Sequence, residues 1–230
     1  MTKVPRAGHV KTRLVPPLTP EEAAKLNVCF LRDTAAAIQH ACGSRAVGVA
    51  VYTPIGFEDV YDDILPSDFL LLPQRGDGFG ERLGSAAADL FHCGFTAVCL
   101  IDSDSPTVPS AAYAQAVALL SRPSDSVVLG PSDDGGYYLI GLKKHHSRIF
   151  ERIDWSTDRV FEQTRSRAKE LNLEVALLPN GYDVDDGASL NRLCKELLSD
   201  NVSADLAPHT RNFLAGFVRE NGRERILAAQ

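Results

Sequence analysis

The chain has 230 residues, 44% hydrophobic and 23% charged, a balance that excludes a disordered or fibrous protein and fits one globular α/β domain. Its 24 Lys and Arg against 30 Asp and Glu leave a net charge of −6, which argues against a general nucleic-acid binder, since that role needs a basic footprint. No apolar run reaches the length of a membrane span and no apolar stretch follows the charged first residues, so neither a membrane partner nor a signal peptide is expected and the cytoplasm is the expected location.

Residues 1–20 contain Lys3, Arg6, Lys11 and Arg13 and no acid. A basic segment on an acidic protein suggests a bound anion; the plainer alternative is a solvated tail. Thr19-Pro20-Glu21-Glu22 reads as a capping box with Pro at the first helical position, opening a helix to about His40. Strand-like runs then follow at Arg45–Tyr52, Phe69–Pro73, Phe95–Asp102, Ser126–Gly130, Tyr137–Leu142 and Leu173–Pro179. They are rich in Val, Leu and Ile with little polar alternation, as strands covered on both faces are. Between and after them, helices are predicted at Phe79–Phe91, Ala111–Leu120, Arg159–Leu171 and Ser189–Leu198, the last capped by Asp186. This alternation predicts a mostly parallel sheet with helices on both faces. The link through Gly135-Gly136 is too short for a parallel crossover, so one strand should run antiparallel. One domain is expected over residues 1–200. Residues 201–230 would form a helical extension that either covers a sheet edge or mediates self-association, so a homodimer stays open. Five cysteines without metal-like spacing read as buried thiols of a reducing compartment.

Four segments carry candidate chemistry. In Pro5–Leu14, Gly8 would let backbone approach an anion that Lys11 and Arg13 neutralise; an ordinary basic loop is the competing reading. Leu100–Pro106 follows the most apolar strand. Asp102 and Asp104 lie there, where open α/β sheets place ligands, and two carboxylates with substrate phosphate suit Mg²⁺ or Mn²⁺. Turn chemistry alone would also explain them. In Gly130–Tyr138, Gly135 and Gly136 would let backbone pass close to a ligand and Asp134 would fix a hydroxyl or the metal, unless the segment is only a hairpin turn. Tyr182–Asp186 brings a second acidic cluster to a strand end, where it could converge on the same cation. Gly80-Glu81-Arg82 and Trp155-Ser156-Thr157 are lesser candidates, the latter because Ser156 and Thr157 open a helix and helix N-termini bind anions.

Taken together, these blocks resemble a known family. Residues 2–14, TKVPRAGHVKTRL, resemble its opening K-x-P-x-x-G-x-V-K-T-R-L. Gly80–Leu83, Asp102–Pro106, Gly130–Gly141, Trp155–Thr157 and Asp183–Asp186 follow in the same order. The family is that of uncharacterised bacterial glycosyltransferase-A-type proteins, also called radical-SAM/selenodomain-associated transferases, within the nucleotide-diphospho-sugar transferase superfamily. The resemblance implies a Rossmann-like sheet and a divalent metal, Mg²⁺ or Mn²⁺. Asp104 and Asp185 match the family's acids, Lys11 and Arg13 its phosphate-side cations, and Asp102 sits where relatives often carry Gly. Lys3, Gly8, Arg82, Gly135 and Gly136 complete the expected nucleotide and phosphate site, with Asp134 as the acceptor contact or general base and Trp155, Ser156 and Thr157 on the substrate side. Relatives carry an apolar strand of about half a dozen residues before the first block, whereas only Met1 and Thr2 precede Lys3 here, so the first strand is expected to be missing. The implied activity is metal-dependent transfer from a nucleotide-sugar to a small-molecule acceptor. The alternatives are nucleotidyl transfer from an NTP to a phosphorylated acceptor, and a non-catalytic nucleotide-binding role.

Overall fold

Strands and helices alternate along residues 1–227, the part of the chain that the computed structural model describes. In order they are β1 (Thr2–Lys3), α1 (Pro20–Cys42), β2 (Val49–Thr53), β3 (Leu70–Pro73), α2 (Phe79–His92), β4 (Val98–Ile101), α3 (Ser110–Leu120), β5 (Ser126–Pro131), β6 (Tyr137–Leu142), α4 (Val160–Glu170), β7 (Glu174–Leu177), α5 (Gly187–Leu197), α6 (Pro208–Asn221) and α7 (Glu224–Leu227). Each predicted strand and helix is present. The one sizeable boundary error is at Arg45–Gly48. A 3-10 turn at Gly43–Arg45 follows α1 there, and the backbone enters the sheet only at Val49, leaving Val47 exposed.

Local signals set the helix starts. The Thr19 hydroxyl accepts from the Glu22 N–H at 3.2 Å and the Glu22 carboxylate accepts from the Thr19 N–H at 2.7 Å, closing the capping box of α1. Asp186 accepts from the Ser189 N–H at 2.8 Å and caps α5.

The strands form two sheets, ordered β1-β2-β3 and β4-β6-β5-β7. Pairings β1/β2, β2/β3 and β5/β7 are parallel, while β6 runs antiparallel to both β4 and β5. The tight turn before β6, with the Gly135 N–H on the Ser132 carbonyl at 3.1 Å, leaves no room for a crossover. Val127, Val128, Leu129, Leu139 and Ile140 are fully buried because helices cover both faces. Ala112, Tyr113 and Ala116 of α3 pack on one face, and Leu83, Ala87 and Leu90 of α2 on the other.

The first strand is a stub rather than absent. Thr2 and Lys3 pair in parallel with Tyr52 and Thr53, because β2 offers a ready parallel edge. Met1 lies between the two sheets, its ammonium donating to the Ile101 carbonyl of β4 at 2.7 Å.

The chain beyond residue 200 packs on the helical layer. Leu214, Phe217 and Ile226 share a buried cluster with Leu26 and Phe30 of α1 and Leu193 and Leu197 of α5. All five cysteines are free. Cys42 and Cys194 are buried and Cys29 and Cys99 half-buried, but Cys93 is exposed because it ends α2. No helix among the described residues is long and apolar enough to cross a membrane.

The α6 start has no cap of its own, since Ala207 precedes it with φ +44°. Asp33 of α1 serves instead. It is buried, and its two carboxylate oxygens accept from the His209 and Thr210 N–H groups at 2.9 and 2.8 Å. Asp33→Ala should cost about 2–3 kcal/mol in urea unfolding, because two amides at the start of α6, that of Thr210 buried, lose a charged acceptor, and should open α6 to limited proteolysis.

Candidate active site

The basic loop hangs from β1. Gly8 (φ +75°) and Lys11 (φ +48°) both adopt left-handed backbone, and Leu14, completely buried beside α1, anchors the far end. A lysine in that conformation is strained unless its surroundings fix it. Here they do: its side chain turns inward and its ammonium sits 2.7 Å from Asp104 Oδ1, 3.0 Å from Asp185 Oδ1 and 2.8 Å from the Val184 carbonyl.

The two acids come from distant segments, Asp104 just past β4 and Asp185 just before α5. The Val184 N–H donates to the Asp104 carbonyl at 2.9 Å and clamps the segments together. The Lys11 side chain is 4% exposed, against 36% for Asp104 and 42% for Asp185. Burial pulls the ammonium's pKa down, but the two carboxylates outweigh it and hold the pKa above the usual lysine range. The Phe30 ring, 5.4 Å from the ammonium, closes the inner side. Arg13 stands at the mouth, 72% exposed and 3.9 Å from Asp185.

These groups line a cleft of about 470 Å³. Of the residues expected at the site, the cleft holds Lys3, Lys11, Arg13, Arg82, Ser156, Asp104 and Asp185. Asp102 lies apart. Its carboxylate accepts from the Ser105 hydroxyl at 2.8 Å, and it borders a different cavity, between β2 and β4. Of the three acids expected to hold a metal, Asp104 and Asp185 thus meet at Lys11 while Asp102 faces the other cavity; among the described residues no three His, Cys, Asp or Glu side chains group as a metal site. Asp134 accepts from the Gly136 N–H at 2.8 Å, within the β5–β6 turn. Gly135 (φ +85°) lies against the Asp158 backbone, where a side chain would collide. Trp155 packs edge-to-face on Phe79, 5.1 Å between rings, and a Cβ at Gly80 would strike its indole. Trp155 thus supports Ser156 at the cleft wall, whereas the Thr157 hydroxyl donates to the Asp154 carbonyl at 2.7 Å in a local turn.

Asn27 and Gln74 line the cleft but escaped the sequence reading. Asn27 is 4% exposed, lines the cleft, and its side-chain oxygen has no hydrogen-bond partner. A signal existed, since it is a polar residue inside the apolar stripe Ala23-Ala24-Leu26-Phe30-Leu31 of α1. Gln74 also lines the cleft and donates to the Thr2 and Val51 carbonyls at 3.0 and 2.9 Å. Asp183 accepts from the Ser132 hydroxyl at 3.1 Å, its pKa raised by burial first and then by Asp134 and Asp185.

Together the fold and cleft define a Rossmann-like α/β protein of the nucleotide-diphospho-sugar transferase type. The structure of a protein from Desulfovibrio desulfuricans G20, described as a "putative nucleotide-diphospho-sugar transferase", matches with a TM-score of 0.84 and 30% identity, covering 99% of this chain and 95% of that one. The chain belongs to the family DUF2064, described as "Uncharacterized protein conserved in bacteria", whose model matches residues 34–157. A fainter likeness extends to a 4-diphosphocytidyl-2C-methyl-D-erythritol synthase, with TM-score 0.46, 14% identity and coverage of 80% of this chain and 88% of that one. A cytidylyltransferase from Leptospira borgpetersenii serovar Hardjo-bovis (strain JB197) gives TM-score 0.49 and 12% identity, covering 88% of this chain and 86% of that one. No curated protein sequence matches the chain.

Burial, and then the neighbouring Asp104, push the Asp102 carboxyl from its ordinary 3.8 up to about 7. Between those values the native state keeps a proton that the unfolded chain has lost. This contribution to stability is therefore complete below about pH 4 and is lost as pH rises through 7, at no more than about 1.4 kcal/mol per pH unit. Asp102→Asn should flatten the corresponding fall in Tm between pH 5 and pH 8; an unchanged profile would count against the buried carboxyl as its source.

Proposed function

We propose that the cleft binds the diphosphate of a nucleotide-sugar and that the chain is a metal-dependent transferase moving the glycosyl group to a small-molecule acceptor. The observation that carries this reading is the convergence of Asp104 and Asp185 on one cationic point, with Lys3, Arg13 and Arg82 on the walls of the same cleft. The description given to the Desulfovibrio desulfuricans relative supports it.

The donor set suits a hard divalent ion. Two carboxylates are the number that Mg²⁺ or Mn²⁺ uses when substrate phosphate and water fill its other positions, so Asp104 and Asp185 would hold it. When bound, the ion offsets the negative charge that gathers on a leaving diphosphate. The chain supplies further charge. Lys11 is pre-positioned by three contacts, so its ammonium needs little rearrangement, and Arg13 and Arg82 can hold phosphate oxygens from the mouth. Asn27, buried with an unpartnered side-chain oxygen, offers an acceptor to a ligand hydroxyl or amine. Trp155 keeps Ser156 at the wall where the sugar side of a donor would lie.

A second reading, nucleotidyl transfer from an NTP, is favoured by the number of cations. Lys3, Arg13 and Arg82, beside the paired Lys11, bring to one cleft the dense positive charge that a leaving pyrophosphate needs. A panel of nucleotide-sugars and NTPs with Mg²⁺ or Mn²⁺ separates the two. Nucleoside diphosphate release supports the first, pyrophosphate release in the presence of a phosphorylated acceptor supports the second, and no metal-dependent nucleotide binding overturns both.

Lys11 stands where a divalent ion would meet the two acids, so the ammonium and the ion compete. Lys11→Ala should therefore bind Mn²⁺ about tenfold more tightly by calorimetry while losing turnover, because repulsion between the bare carboxylates favours a dication. Asp104→Asn should weaken Mn²⁺ and metal-dependent nucleotide binding by about tenfold or more. Unchanged Mn²⁺ affinity in both variants would remove these acids from the metal site.

A further inference from the structure

The ammonium of Lys11 fills the point between Asp104 and Asp185 that a divalent ion would take. The side chain is almost fully buried. An ammonium driven off the acids with no acceptor to receive it would be an unpaired buried charge, which is strongly destabilising. The cleft contains an oxygen that could receive it. Asn27 of α1 is buried and lines the same cleft, yet its side-chain oxygen is shut off from solvent and has no hydrogen-bond partner. A buried acceptor left unpaired costs stability wherever it occurs. Asn27 lies one turn before Phe30 on the same helix face, and the Phe30 ring is 5.4 Å from the Lys11 ammonium. Its neighbours on the buried stripe, Ala23, Leu26 and Leu31, are apolar, so packing alone would be met by a leucine.

We propose that Asn27 is a positioning residue for Lys11, its side-chain oxygen being a second seat for the ammonium when a divalent ion binds Asp104 and Asp185. The inference rests on the divalent-ion reading of the cleft given above. In the first seat the ammonium offsets the two carboxylates. In the second it donates to Asn27 and keeps its other N–H groups for a phosphate oxygen of the ligand. The flexible stem of the lysine makes the exchange, while Leu14, fully buried, anchors the loop beyond it. A neutral oxygen suits this role better than a carboxylate would. It competes poorly with two carboxylates, so it stands idle while the ammonium is on the acids, whereas a third carboxylate would hold the ammonium in both situations. With two seats, the lysine and the ion can both be present, and the cleft then carries both positive charges toward a diphosphate.

Calorimetric titration with Mn²⁺ of the unsubstituted chain, Asn27→Leu, Lys11→Ala and the double variant tests this. Asn27→Leu should weaken Mn²⁺ binding by about tenfold, because the displaced ammonium loses its acceptor. Its Tm should be unchanged or higher, since leucine removes an orphan oxygen from an apolar stripe. In the Lys11→Ala background the same substitution should leave Mn²⁺ affinity unchanged. NMR reads the second seat without altering Asn27: its side-chain NH₂ resonances should shift on addition of Mg²⁺ by more in the unsubstituted chain than in Lys11→Ala. Equal Mn²⁺ affinity in the unsubstituted chain and Asn27→Leu would overturn the proposal, as would equal NMR shifts. A loss of the same size in the Lys11→Ala background would also overturn it, making Asn27 a ligand of the ion itself. In each of these cases, tighter Mn²⁺ binding by Lys11→Ala would leave Asp104 and Asp185 as the ion's holders. No Mn²⁺ binding by any of the four proteins would overturn that reading and this one together.

Discussion

The ion pairs of Lys11 organise the site because they join three segments that are far apart in the chain. The ammonium sits between Asp104, past β4, and Asp185, before α5, and is itself carried by the loop after β1. Without a cation at that point, two carboxylates clamped by the Val184–Asp104 backbone hydrogen bond would repel each other. The lysine in turn accepts left-handed backbone and almost complete burial, both unfavourable for it alone. Each partner makes the position of the others tolerable, and the cleft takes its shape from that mutual constraint.

The same arrangement sets the site's electrostatics. Lys11 is neutralised by its partners, so the positive character of the cleft is carried by Lys3, Arg13 and Arg82. Arg13 is 72% exposed and only 3.9 Å from one acid, so solvent screens that pair strongly. It is better placed to meet an incoming anion than to stabilise the fold. The two acids are more open to solvent than the lysine ammonium that sits between them.

Position in the sheet explains why the two aspartates of Asp102-Ser103-Asp104 differ. Asp102 turns toward the gap between β2 and β4, and burial raises its pKa; Asp104 turns toward the cleft and Lys11. The short β1 lies on the boundary between the two cavities. Met1 and Thr2 border both, so the sheet's gap and the cleft share a wall.

Much of the fold was legible in the sequence because its signals are local. The apolar runs gave the strands, Thr19–Glu22 and Asp186 set the helix starts, and the short Gly135-Gly136 link required the antiparallel β6. The acid-free first 20 residues and the acidic strand ends likewise marked where Lys11, Asp104 and Asp185 would be found. What the sequence could not decide was which way each side chain turns. Asp102 and Asp104 are two residues apart, yet only packing around β4 sends them to different cavities. Asp134 and Gly135 suited a ligand as well as a turn, and it is the contact with Asp158 that shows how closely their turn packs on the segment leading into α4. Asn27 was hidden in an apolar stripe, and Asp33 as the cap of α6 rests on a contact spanning 176 residues. Periodicity and capping act over a few residues and are written into the chain; the meeting of a lysine with two distant carboxylates depends on the closed tertiary fold.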